Sequence, residues 1–180
     1  DTALYWSPFG QLVILLLIQV GGMGVVTIAV AIFMFAGKRI GLKQRWVMQE
    51  SISAPQVGGI VRMTGFILKT AFLIEGIGAL LLALRFCPQF GLGRGLWYAV
   101  FHSVSAFCNA GFDLMGVNSP FSSLTDYVGD PLVSNVIAFL IIIGGVGFLT
   151  WNDIREHKLH FRRYRLQSKL ILTTTLALIL

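Results

Sequence analysis

The chain reads as an all-α membrane protein built from repeated units of helix, re-entrant loop and helix, and three observations lead there. The first is composition. Of 180 residues, 56% are hydrophobic and only 12% are charged, with a mean hydropathy of +0.78. Soluble domains carry about a quarter charged residues, so this balance belongs to the bilayer. The second is a short apolar segment, His102-Ser103-Val104-Ser105-Ala106-Phe107-Cys108-Asn109-Ala110-Gly111-Phe112-Asp113, set between two runs long enough to span. It is too short to cross, so it must enter, turn and leave on one side. Its non-helical backbone then has to line a protein-buried or water-filled cavity. The third is a repeat. Ile18-Gln19-Val20-Gly21-Gly22-Met23-Gly24-Val25-Val26-Thr27 returns as Ile141-Ile142-Ile143-Gly144-Gly145-Val146-Gly147-Phe148-Leu149-Thr150, an offset of 123 residues. Both copies descend toward a basic loop, which makes the repeat parallel, unlike the inverted repeats of many transporters.

The elements follow in order. Phe9 to Ala36 forms a spanning helix, with Tyr5 and Trp6 where interfacial aromatics belong and Pro8 suited to a helix start. Residues 1–36 thus hold the end of a first unit, and residues 37–58 a basic loop. Gly58-Gly59 opens a complete second unit over residues 59–151. Within it a helix covers 59–84. An outer loop at 85–95 is broken by Cys87-Pro88 and by glycines 91, 93 and 95. A short helix follows over 96–107, in which Trp97, Tyr98 and Phe101 can anchor the rim. Then come a turn segment at 108–113, an outer loop at 114–130, and a second spanning helix over 131–151 started by Asp130-Pro131. Residues 152–168 form another basic loop, and 169–180 begin a third unit. A start at Asp1 without an initiator Met, and an end at Leu180 inside an apolar run, read as a piece of a longer protein.

The net charge of +6 is not spread evenly. Lys38, Arg39, Lys43, Arg45 and Arg62 stand against Glu50, and Arg155, Lys158, Arg162, Arg163, Arg165 and Lys169 stand against Asp153 and Glu156. The other loops are net acidic. Positive charge in two alternate short loops is the positive-inside pattern, so these loops are expected in the cytoplasm of a multi-pass protein of the plasma membrane. Contact with the lipid bilayer explains the basic residues, and nucleic acid is excluded as a partner.

The chemistry centres on the turn segment. Backbone carbonyls can replace an ion's hydration shell without adding fixed charge. The C-terminal end of the short helix favours a cation. The expected ion-binding wall is Cys108, Asn109, Ala110, Gly111 and Phe112, running back outward in an extended path. Gly111 is free to aim carbonyls because it lacks a Cβ, and Asp113 concentrates cations at the outer mouth. The plainer reading is a glycine turn between buried segments; the length argument, the flanking spans and the repeat favour the pore. Lys69 and Glu75 fall inside the second span. Lys69 can snorkel, whereas Glu75 needs a partner and sits six residues away, a poor spacing for a pair on one helix. Two roles stay open for Glu75, a structural polar contact or a place near the ion path. His102 reads as a packing or rim residue, and His157 and His160 as solvated. Cys87 and Cys108 show no metal or redox spacing. The Gly-Gly-x-Gly clusters lie inside apolar spans with no Lys-Ser or Lys-Thr after them, so they serve close packing through small residues rather than phosphate binding. No enzymatic constellation is present, and the chain is not expected to be an enzyme.

Together Ile18–Gly24, Gly59-Ile60-Val61-Arg62, Phe101–Asp113 and Gly144–Phe148 resemble the Trk/Ktr/HKT potassium transporter superfamily, and look most like the membrane subunit of bacterial Ktr systems. The resemblance covers essentially the whole chain. It implies four helix–pore–helix units of the potassium-channel type, pseudo-tetrameric around one pore in the full chain. It also implies a filter glycine matching Gly111 and a filter wall matching Cys108 to Phe112. Uptake of K⁺, often stimulated by Na⁺, a homodimer, and gating by a cytoplasmic nucleotide-binding ring subunit are further implications, the nucleotide sitting only on that partner. Cys108 stands where relatives commonly carry Asn; selectivity survives this if only the carbonyl matters. Two alternatives are a secondary solute transporter with broken helices, which would need inverted repeats, and a non-conducting membrane scaffold.

Overall fold

A computed structural model describes residues 1–24, 60–158 and 160–179. The second half of the 9–36 helix, the basic loop 37–58, the Gly58-Gly59 opening and the tract behind it lie outside the described residues. Among those described, every regular element is helical.

Helix α1 (Pro8–Met23) starts on Ser7, whose side chain accepts from the Gly10 N–H, with Pro8 at its first position where no N–H is needed. It ends on Gly24, at φ 81° and ψ 132°. Helix α2 spans Ile60–Phe90, and within it Thr64–Phe90 is long and apolar enough to cross a membrane. The sequence reading ends this helix at 84 and opens a loop at 85–95; the structure does neither. Pro88 lies within a turn of the helix end, where its missing N–H removes a single bond. The Gly91 N–H then closes on the Cys87 carbonyl at 2.9 Å. One residue, Gly91 at φ 81°, joins α2 directly to α3 (Leu92–Phe107), which therefore begins four residues before the expected 96. Gly95 makes the tight corner possible: a Cβ there would come within 2.5 Å of the Cys87 Cα.

Helix α3 is buried along most of its second half. Phe101 and Phe86 are fully buried, and Phe86 meets His102 and Tyr127 edge-on at 5.7 and 5.4 Å between centroids. The stretch 114–130 carries two single 3₁₀ turns, Met115–Val117 and Thr125–Tyr127. Asp130 then caps α4 (Pro131–Val146), accepting from the N–H groups of Leu132 and Val133. The same carboxyl takes Arg85 Nε at 2.7 Å, tying the end of α2 to the start of α4. The Arg85 guanidinium beside Asp130 holds its carboxyl below the usual carboxylate range, and burial pushes the Tyr127 hydroxyl up.

The expected helix 131–151 is not continuous. It breaks at Gly147 (φ 84°, ψ 150°), and α5 (Phe148–His157) leaves at 87°. Gly24 and Gly147, 123 residues apart, thus end their helices in nearly the same backbone conformation, one that glycine adopts freely. The expected loop 152–168 is largely structured, since α5 and a 3₁₀ turn at Phe161–Arg163 occupy much of it. Helix α6 spans Leu166–Ile179.

Asp153 of α5 organises that corner. It is fully buried and accepts from the Arg165 N–H at 3.0 Å and from Ser168 Oγ at 2.6 Å, so a side chain on one helix caps the next. Asp153→Ala strands both donors and is expected to cost about 2–3 kcal/mol. It should show as a lower thermal-unfolding midpoint in detergent; an unchanged midpoint would mean the corner holds without it.

Candidate functional site

The site is the place where α3 stops. Its last turn is closed by the turn segment's own amides: Cys108 N–H reaches the Val104 carbonyl, Asn109 N–H the Ala106 carbonyl at 3.1 Å, and Ala110 N–H the Ser105 carbonyl at 2.9 Å. The last two, over three and five residues, form a Schellman cap with Asn109 as its left-handed residue at φ 54°. Asparagine tolerates that conformation better than other residues bearing a Cβ. Sequence reasoning placed the turn chemistry at Gly111 alone. The signal it passed over was Asn109, and Gly111 takes its own left-handed conformation at φ 73° two residues later.

Two side chains of α3 fasten the returning chain. His102 is 2% exposed; its Nδ1 lies 2.7 Å from the Tyr98 carbonyl and its Nε2 3.2 Å from the Leu114 nitrogen. A carbonyl only accepts and an amide N–H only donates, so these partners place the ring proton on Nδ1. His102 is a staple, as its reading as a packing residue expected. Ser105 Oγ donates to the Phe112 carbonyl at 2.6 Å. Among the described residues, no hydrogen bond reaches the carbonyl oxygens of Cys108, Asn109, Ala110 or Gly111. Four successive acceptors have no partner among the described residues, and the fifth is held.

The turn is walled from two sides by the two glycine clusters. Gly22 of α1 lies so close to Cys108 that a Cβ would collide with its side chain. Gly144 of α4 lies equally close to the Phe107 carbonyl, and Asn109 Nδ2 donates to the Ile141 carbonyl at 3.3 Å. Small residues therefore do serve close approach, against the end of a short helix. A cavity of about 230 Å³ opens beside the turn between His102, Asn109, Asp113 and Ile137. A second, of about 420 Å³, lies on the α1 side against Cys108, Ala110 and Phe112.

The remaining expected residues divide. Asp113 Oδ1 accepts from the Met115 N–H at 3.0 Å, so part of the carboxyl is spent on starting the 3₁₀ turn. Lys69 is exposed. Glu75 is 4% exposed and takes Gln19 Nε2 at 2.9 and 3.0 Å, with Cys108 Sγ at 3.9 Å. Its partner thus comes from another helix, 56 residues away. Elsewhere, Asp153, Glu156 and His157 bring one ligand atom each within 4.8 Å of one another. Arg165 Nε at 3.5 Å and Asn152 Nδ2 at 3.0 Å already engage the two carboxyls, so the group reads as the packing of the α5–α6 corner. His157, expected to be solvated, is half-buried beside the Tyr164 ring.

Known proteins carry this sequence pattern. Residues 2–178 match the TrkH family, described as a cation transport protein. The chain is 44% identical to Ktr system potassium uptake protein B of Bacillus subtilis, over 99% of this chain and 39% of that protein. It is 38% identical to potassium/sodium uptake protein NtpJ of Enterococcus hirae, over the whole of this chain and 39% of that one. Ktr system potassium uptake protein B of Vibrio alginolyticus is 33% identical over the same shares. The chain thus spans about two fifths of the length of these relatives.

Proposed function

The chain belongs to the TrkH family of cation transport proteins, and from that premise we propose that it supplies one wall of a potassium path across the plasma membrane. The wall is Cys108 to Phe112, and the observation that carries the reading is the run of four carbonyl oxygens, without a hydrogen-bond partner among the described residues, at the end of a buried short helix. Such a run offers an ion oxygen ligands without fixed charge, and the helix's C-terminal dipole favours a cation. Asp113, with one carboxyl oxygen engaged, adds negative charge beside it. The names of the relatives supply the ion: potassium uptake for two of them, potassium and sodium for the third, which supports K⁺ as cargo with Na⁺ as a modulator.

In this reading helices α2, α3 and α4 are one helix–pore–helix unit, and several such units in the full-length protein enclose one pore. The basic tracts at 37–58 and 152–168 face the cytoplasm in a multi-pass arrangement. There a regulatory ring subunit, bearing the nucleotide, docks on a homodimer, as the Ktr resemblance implies. The role is transport, not catalysis.

The test is complementation. Expression of the full-length protein in cells that lack their own potassium uptake should restore growth at low K⁺ and saturable uptake. Protein that is present and folded in the membrane but moves no K⁺ would end this reading.

A further inference from the structure

We infer that Glu75 and Gln19 form a positioning pair that sets the geometry of the turn through Cys108, and that this pair thereby determines how strongly K⁺ is preferred over Na⁺. The inference rests on the filter reading above. Neither residue belongs to the carbonyl wall; both act on it through its first member.

Three contacts carry it. Gln19 of α1 donates to both carboxyl oxygens of Glu75 of α2, at 2.9 and 3.0 Å, which fixes the carboxyl plane. Oε1 of that carboxyl stands 3.9 Å from Cys108 Sγ, within reach of a thiol donor. The backbone carbonyl of the same Glu75 accepts Ser103 Oγ at 2.7 Å, so one residue grips the short helix by its side chain and by its main chain. Gly22 of α1 packs so closely on Cys108 that a Cβ there would collide with its side chain. Cys108 is thus held between α1 and α2 at the point where the carbonyl wall begins.

A buried carboxyl in an apolar span is costly unless fully partnered, and an apolar side chain of similar size would fill the space more cheaply. Lys69, on the same helix, is exposed and makes no ion pair with it among the described residues. What the carboxyl adds is direction. A hydrogen-bonded junction has one geometry, whereas an apolar contact slides. Ion selectivity in a carbonyl wall depends on the positions and field of its dipoles, so a shift of the first residue is read out in the ion.

The experiment uses the full-length protein, assayed for K⁺ and Na⁺ uptake in transport-deficient cells and in vesicles. Glu75→Gln keeps the volume but turns an amide nitrogen toward the Gln19 donor. It is expected to lower the K⁺/Na⁺ preference about five- to tenfold with the amount of folded protein unchanged. Cys108→Ala should give the same shift, Cys108→Ser, which retains a donor, should shift less than Cys108→Ala, and the Glu75→Gln/Cys108→Ala double variant should go no further than either alone. Parental preference in folded Glu75→Gln, or independent effects that multiply in the double variant, overturns the inference. If Glu75→Gln does not reach the membrane folded, the comparison of Cys108→Ala with Cys108→Ser decides, and equal preference in those two overturns it. Gly111→Ser in the same assay separates the two levels. If it too keeps the parental preference, the filter reading itself fails. If it shifts while the Glu75 and Cys108 variants do not, this inference alone fails.

Discussion

Replacing Gly111 by serine is expected to leave a folded protein that has lost most of its preference for potassium over sodium. Gly111 sits at φ 73°, and a Cβ built on it meets nothing within 4 Å among the described residues. Space is therefore not the obstacle; the backbone conformation is. A residue with a side chain pays about 1–2 kcal/mol in this region, which the peptide relieves by rotating toward ordinary φ values. The peptides that would rotate carry the Ala110 and Gly111 carbonyls, two of the four acceptors without a partner among the described residues. A cost of that size placed on coordination of the preferred ion corresponds to about a tenfold change in preference. Competition of K⁺ and Na⁺ for uptake measures it, and Gly111→Ala separates backbone from hydroxyl. Both variants should shift if the backbone is the cause. Unchanged preference in both removes Gly111 from the filter.

The sequence made the all-helical character and the position of the candidate turn legible for identifiable reasons. Composition and apolar runs announce a membrane protein because the bilayer tolerates few alternatives, and the short segment at 102–113 stands out by length alone. The breaks were harder. Pro88 and three nearby glycines look like a loop, yet a proline close to a helix end loses little, and Gly91 is the one residue that turns. Gly24 and Gly147 each have apolar residues directly before and after them, so nothing in the apolar pattern marks the glycine itself as the stop. The glycine repeat did carry the signal, but as packing it read equally well. Glu75 was recognised as needing a partner, and its spacing from Lys69 excluded the nearest charge. That the partner is Gln19 depends on how α1 and α2 pack, which one sequence does not encode locally. Asn109 was available to inspection as the second-best left-handed residue, but glycine two positions on drew the assignment.

A single methyl group on Gly144 should be strongly damaging, because what it meets is backbone. The Cβ of Gly144→Ala would be driven into the Phe107 carbonyl, with Asn109 Nδ2 a further 3.3 Å contact. A side chain in that position could rotate aside. The carbonyl cannot, because it belongs to the last turn of α3, whose neighbours are committed to the Schellman cap. Relief requires α4 to back away from α3, which breaks the Asn109–Ile141 bond and loosens the core cluster that Leu140 shares with Phe107 and Ala106. Overpacking of this kind costs about 1–3 kcal/mol, and an unyielding neighbour puts the expectation at the upper end. Gly145→Ala is the matched control. Its Cβ would lie 3.9 Å from Asn109 Nδ2, an ordinary contact, and it gains up to about 1 kcal/mol of helix propensity. Gly144→Ala should therefore show a lower unfolding midpoint and little or no K⁺ uptake, while Gly145→Ala stays close to the parent in both. Equal behaviour of the two variants would mean that α4 does not press on the end of α3, and the turn would then have to be held by α1, α2 and its own cap alone.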